Sequence, residues 1–83
     1  MSPQQLAFDE WSAEFRRMCP ADHGRALEYA SDPDLCVDII RTDETGEVQW
    51  VIVPEVDPEF WLDSFASKTA ALTFCRKIGW RLL

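Results

Sequence analysis

The sequence predicts an α+β fold: an N-terminal helix with a second, shorter helix behind it, a three-stranded and mainly antiparallel sheet, and a C-terminal helix packed on that sheet. Three observations carry this. Apolar residues recur at helical spacing up to Met18, residues 35–53 alternate with a period of two about a glycine turn, and a serine at position 67 opens a second apolar helical stripe. At 83 residues the chain is expected to form one domain, with a helical part over 1–30 and the sheet and last helix over 35–83. A chain this long buries roughly 60–65 % of its unfolded surface, enough for a single core.

The first helix begins where Ser2 can cap, Pro3 suits the first helical position and Gln5 completes a capping box. Phe8, Trp11, Phe15 and Met18, with Ala7 beside them, make one apolar face. Arg16 and Arg17 stand in the last turn, where the helix dipole favours cations, and Pro20 disfavours helical geometry at Cys19. Pro20–Ala30 reads as the second helix, weakened by Gly24 and ended by the turn cluster Ser31-Asp32-Pro33-Asp34.

Leu35–Thr42 and Val48–Val53 read as the strands of a hairpin, joined by Asp43-Glu44-Thr45-Gly46, whose glycine can take a positive φ. The segment Pro54-Glu55-Val56-Asp57-Pro58 is a stiff acidic connection, since two prolines deny it ladder donors. Glu59–Phe65 is the expected third strand, with Trp61, Asp63 and Phe65 on one face. Ser67 then caps a helix over Lys68–Ile78 whose buried stripe is Ala71, Phe74, Cys75 and Ile78, with Gly79 as its natural stop. Trp80–Leu83 is either a short last strand or an apolar tail on the core.

Charge is unevenly spread. Residues 28–63 hold eleven acids against the single base Arg41, whereas residues 64–83 hold four bases and no acid, within a total of −7. A pI near 4.4 argues against direct binding to nucleic acid or to anionic membrane, both of which need Lys and Arg. It favours a basic protein partner, or mere solubility. A solubilising surface intersperses acids with bases, and here the bases are segregated toward the chain ends, which tips the balance toward a binding role. The candidate contact residues are Asp43, Glu44, Glu47, Glu55, Asp57, Glu59 and Asp63. Trp11, Trp50, Trp61 and Trp80 fit core positions, but Trp61, set among the acids, is also a candidate anchor.

No catalytic signature accompanies these residues. A zinc site would need two ligands beyond Cys19 and His23, a Cys–His dyad would depend on that one histidine, and the three glycines are too scattered to cradle a phosphate. The chain is therefore expected to be no enzyme and to take no cofactor or metal. Three cysteines, Cys19, Cys36 and Cys75, are an odd number without close pairing, which suggests reduced thiols. Together with the lack of a signal-peptide pattern or a long apolar run, this suggests a cytoplasmic protein not bound to membrane.

The stretch Phe65-Ala66-Ser67-Lys68-Thr69-Ala70-Ala71, followed by Phe74 and Gly79-Trp80, is similar to the way many small phage and mobile-element domains pass from strand to helix. Over about half of the chain, Cys36–Ile78, the hairpin–strand–helix order resembles such domains, several acidic anti-CRISPR inhibitors among them. The resemblance implies a phage-type inhibitor that mimics DNA and fills a basic nucleic-acid-binding site on a partner complex. Two other expectations remain open: an acidic immunity or antitoxin-like protein neutralising a basic toxin, and a small structural subunit that forms a homodimer through a sheet edge.

Overall fold

A computed structural model describes residues 2–83. Helix α1 (Pro3–Met18) leads through a 3₁₀ turn (Pro20–Asp22) to α2 (His23–Ser31). Strands β1 (Cys36–Thr42), β2 (Gln49–Pro54) and β3 (Asp63–Phe65) follow, then α3 (Lys68–Ile78) and β4 (Arg81–Leu82). The α+β expectation holds. The expected sheet does not hold in detail, because it has four strands in the order β3-β2-β1-β4 and is mixed. The pairs β1–β2 and β2–β3 are antiparallel and β1–β4 is parallel. The closing residues are thus a strand, joined at Cys36↔Arg81 and Val37↔Leu82 and extended by the Leu83 N–H donating to the Val37 carbonyl.

The helix ends follow from their residues. Ser2 Oγ accepts from the Gln5 N–H at 3.1 Å and Pro3 occupies the first turn, so α1 starts where its cap lies. The reciprocal half of the capping box is absent: the Gln5 side chain instead donates to Asp9. Ser67 Oγ accepts from the Ala70 N–H at the start of α3. At its end Gly79 takes φ +85, and the Gly79 and Trp80 N–H groups both donate to the Cys75 carbonyl. A side chain at Gly79 would be strained at that φ by about 1–2 kcal/mol and would also meet the Gln4 amide.

Pairing fixes which face of the sheet each residue takes. Ile39 lies opposite Ile52, Val37 opposite Pro54 and Trp50 opposite Phe65, and these side chains look toward the helices. Helix α3 crosses all four strands on that side, α1 packs against α3, and α2 packs on α1. One core joins both halves of the chain through Ala7, Trp11, Ala26, Val37, Ile52, Leu62, Ala71 and Cys75. Met18, expected on the apolar face of α1, is 66 % exposed at the last turn of the helix.

A chain of aromatic rings threads this core. Centroid spacings are 5.3 Å for Phe65–Phe74, 5.7 Å for Phe74–Trp80 and 5.1 Å for Trp80–Trp11. The chain continues at 5.7 Å for Trp11–Phe15, 6.2 Å for Phe15–Phe60 and 5.4 Å for Phe60–Tyr29. All six separations lie in the range where tilted or offset rings attract. Trp11 also donates its indole N–H to the Leu62 carbonyl across 2.9 Å of buried space, tying α1 to the segment entering β3.

The third strand is shorter than the sequence predicts. In place of a strand from Glu59, the Asp57 N–H donates to the Pro54 carbonyl and the Phe60 N–H to the Asp57 carbonyl, two successive turns. Phe60 and Leu62 are thereby buried in the core and ladder pairing begins only at Asp63.

Trp11→Phe keeps one six-membered ring but removes the pyrrole part of the indole with its donor, so it loses some packing and leaves the Leu62 carbonyl buried without its partner. Equilibrium urea unfolding is expected to show a loss of about 1–3 kcal/mol with an unchanged m-value. A change below about 0.5 kcal/mol would show that this hydrogen bond contributes nothing beyond packing.

Candidate binding face

Among the described residues no helix packs on the other side of the sheet, whose residues follow from the same register. Asp38 pairs with Val53, Ile40 with Val51, and Val51 with Ser64. Val51 and Val53 are each only 1 % exposed although they belong to no helix-side core. They form the floor of a groove of about 470 Å³ with Ile40, Pro58 and Trp61 around them and Glu44, Glu59, Thr42 and Arg41 at the rim. The segment between β2 and β3 folds back over the sheet and supplies one wall.

That segment is held from the helical side. Asp57 is half-buried and forms an ion pair with Arg25, and it accepts a hydrogen bond of 2.8 Å from the Tyr29 hydroxyl. The Arg25 guanidinium in turn lies 4.9 Å from the Phe60 ring centroid and 5.8 Å from that of Tyr29. Asp57 therefore fastens the connection to α2, and Glu59 and Trp61 take their places on the groove as a result.

The structure divides the candidate contact residues. Glu44, Glu59 and Trp61 meet at the groove. Asp43 and Glu47 are exposed in the hairpin turn beside Glu44. Glu55 is exposed beyond the far end of β2, roughly 20–25 Å away at about 3.3 Å per residue, and its N–H donates to the Cys36 carbonyl. Asp57 is engaged with α2, and Asp63, paired with Ile52, looks toward the helices. Charge separates by element: six of the eight bases sit on the three helices, whereas eleven of the fifteen acids lie on strands, turns and connections.

Asp63 and Trp61 line a second, smaller cleft of about 230 Å³ between the latter half of α1 and the β3 edge, with Trp11, Glu14, Phe15, Met18 and Cys19. Burial holds the Asp63 carboxyl above the usual carboxylate range, with the nearby Glu14 charge pushing the same way and the Ser64 N–H opposing both. Burial also pushes the Cys75 thiol up to about 11, so it is protonated and inert at neutral pH, while Cys19 is exposed.

One polar pair escaped the sequence. Ser12 Oγ and His23 Nε2 share a hydrogen bond of 2.9 Å between α1 and the start of α2. Nothing in their spacing announces it, since the bend at Pro20 brings them together. The pair joins α1 to α2, and among the described residues no third side chain bonds the ring. Also among the described residues, no group of three or more His, Cys, Asp or Glu is arranged to hold a metal, and no helix is long and apolar enough to cross a membrane. Comparison with models of protein families, with curated proteins and with solved structures gave no match.

Two outcomes follow from these environments. The folded-state pKa of Asp63 is raised, so the native state binds the extra proton and this residue's contribution to stability falls as pH rises through its titration. Asp63→Asn retains the acceptor for Ser64 and should be more stable than the parent at pH 7. The difference should vanish in melts run below the ordinary aspartate pKa, and equal melting curves at both pH values would contradict the assignment. Iodoacetamide should modify Cys19 first and Cys75 only under denaturing conditions, as read by peptide mass mapping. Early modification of Cys75 would contradict its burial.

Proposed function

We propose that the chain is a non-catalytic binding protein whose open sheet face docks on a Lys/Arg-rich surface of a protein partner. The observation that carries this is the convergence of Glu44, Glu59 and Trp61 around the apolar floor of Val51 and Val53, on the face no helix covers. Trp61 is half-buried and offers a large ring at low ordering cost, and carboxylates at the rim steer a cationic partner and set its register. In the most concrete version the partner surface is one that otherwise holds nucleic acid, as in a phage-type anti-CRISPR or DNA mimic acting in a bacterial cytoplasm. The same face would serve an immunity protein against a basic toxin. No bond is made or broken, and no cofactor takes part.

A homodimer is favoured by a different observation. Among the described residues strand β4 covers β1 at Cys36 and Val37 alone, and Asp38–Thr42 have no strand beside them on that edge. An unpaired edge of this length is a template for another strand.

The informative variant for docking is the double reversal Glu44→Lys with Glu59→Lys, because Asp57 is needed to hold the connection. In a fluorescence-anisotropy assay, the protein should displace labelled duplex DNA from purified RNA-guided DNA-binding nucleases. Its inhibition constant, corrected for the probe's own affinity at each salt concentration, should weaken by roughly tenfold or more between 50 and 200 mM salt, and the double variant should be inactive at both. Displacement indifferent to salt and to the reversal would remove the electrostatic reading, and absence of displacement would remove the nucleic-acid-site version. Sedimentation at the same two salt concentrations reports on the edge: a salt-insensitive dimer supports the homodimer reading.

A further inference from the structure

Among the acids carried by strands, Asp63 alone lies on the helix-facing side, since its partner Ile52 belongs to the core and Asp38 points the other way. It is half-buried, and its Oδ1 accepts from the Ser64 N–H at 2.8 Å. The two ion pairs of the described residues use Glu14 with Arg17 and Asp57 with Arg25, so no side-chain cation meets Asp63. A carboxylate removed from water without a counter-charge is costly to the fold.

The surroundings make the arrangement specific. Asp63 lines the cleft between α1 and the β3 edge, where Trp11, Phe15 and Trp61 supply three aromatic rings and Met18 a thioether. Phe15 and Trp61 are half-buried, while Trp11 is fixed by its hydrogen bond to Leu62 at the base of the cleft. Aromatic rings beside a carboxylate attract a cation that also carries apolar surface, and Glu14, the other carboxylate lining the cleft, is already paired with Arg17. A hydrated metal ion is poorly matched by such walls, and a guanidinium favours a carboxylate with both oxygens open. Asp63 has one oxygen already engaged.

We propose that this cleft binds an organic cation, an alkylammonium group whose charge is met by Asp63 and whose alkyl substituents lie against Trp61, Phe15 and Trp11. The group is either the side chain of a methylated lysine on a partner or a small free amine of the same chemistry. The assignment does not depend on docking through the open sheet face, with which the cleft shares only Trp61.

The test follows the indole N–H signals of Trp61 and Trp11 in ¹H–¹⁵N spectra of the full chain. Choline, its neutral isostere 3,3-dimethylbutan-1-ol and a short peptide containing trimethyllysine are titrated separately. Choline and the peptide should give saturable shifts, with the alcohol weaker by roughly tenfold or more. Asp63→Asn should weaken choline by a similar factor while its amide spectrum stays that of the folded protein. Glu59→Gln, on the other face, should bind choline as the parent does, so loss of open-face docking and loss of the cleft are separable. A peptide tighter than choline assigns the cleft to a partner's side chain, and equal affinity assigns it to small amines. The proposal is overturned if neither cation gives a saturable shift, if the alcohol binds as well as choline, or if Asp63→Asn binds choline unchanged.

Discussion

The buried hydrogen bond from the Trp11 indole to the Leu62 carbonyl is the constraint on which the arrangement of the other elements depends. It joins residues 51 positions apart and fixes the height of α1 against the segment that enters β3. With that height set, Trp11 meets Trp80 edge-on on one side and Phe15 on the other, so the aromatic chain can run from β3 through α3 and α1 to α2. A small domain without disulfides gains most from rings that bury much area for few residues. The cost is that an indole needs a partner for its N–H. Leu62 supplies one because its carbonyl lies just before regular pairing begins at Asp63, while its own N–H donates to Ile52.

The same short third strand decides what the outer face looks like. Had pairing continued back to Glu59, Phe60 and Leu62 would have shared one face and Trp61 would have stood on the other. Instead the two turns after Pro54 put Phe60 beneath Arg25 and bring Glu59 and Trp61 beside Val51 and Val53. The ion pair of Asp57 with Arg25, helped by Tyr29, holds this geometry from the opposite side of the molecule. Arg25 is more than half exposed, so its charge adds little stability in itself. Its value lies in selecting one path for a connection that two prolines have already stiffened.

What could be read from residues alone divides along the range of the interactions involved. Both capped helices and the hairpin were legible, because Ser2, Ser67, Gly46 and Gly79 act within a few residues of themselves. Strand β4 was not resolved as one, since two residues show no alternation and its parallel pairing with β1 depends on where α3 delivers the chain. The acidic middle segment was visible as a charge imbalance. Composition does not reveal that Asp57 is committed to an arginine 32 positions earlier or that Asp63 turns inward. Alternation placed Trp61 with Asp63. They do share a cleft, yet Trp61 also reaches the outer groove, because it stands at a turn and not in a ladder.

The separation of charges has two sources that must be told apart. Arg16, Arg17, Arg76 and Lys77 occupy the last turns of α1 and α3, where cations complement the helix dipole, so half of the bases are where helix physics alone puts them. Their distance from the acids is therefore weak evidence for a binding face. The acids at the groove have no such local cause. Glu44 and Glu59 come from different connections, cap no helix, and stand around a floor of two buried valines with a half-exposed indole beside them. Acids retained only for solubility can sit anywhere on the surface, and gathering them at the mouth of an apolar groove adds nothing to that purpose. Their placement there, more than the net charge of the chain, gives the open sheet face its claim to a partner.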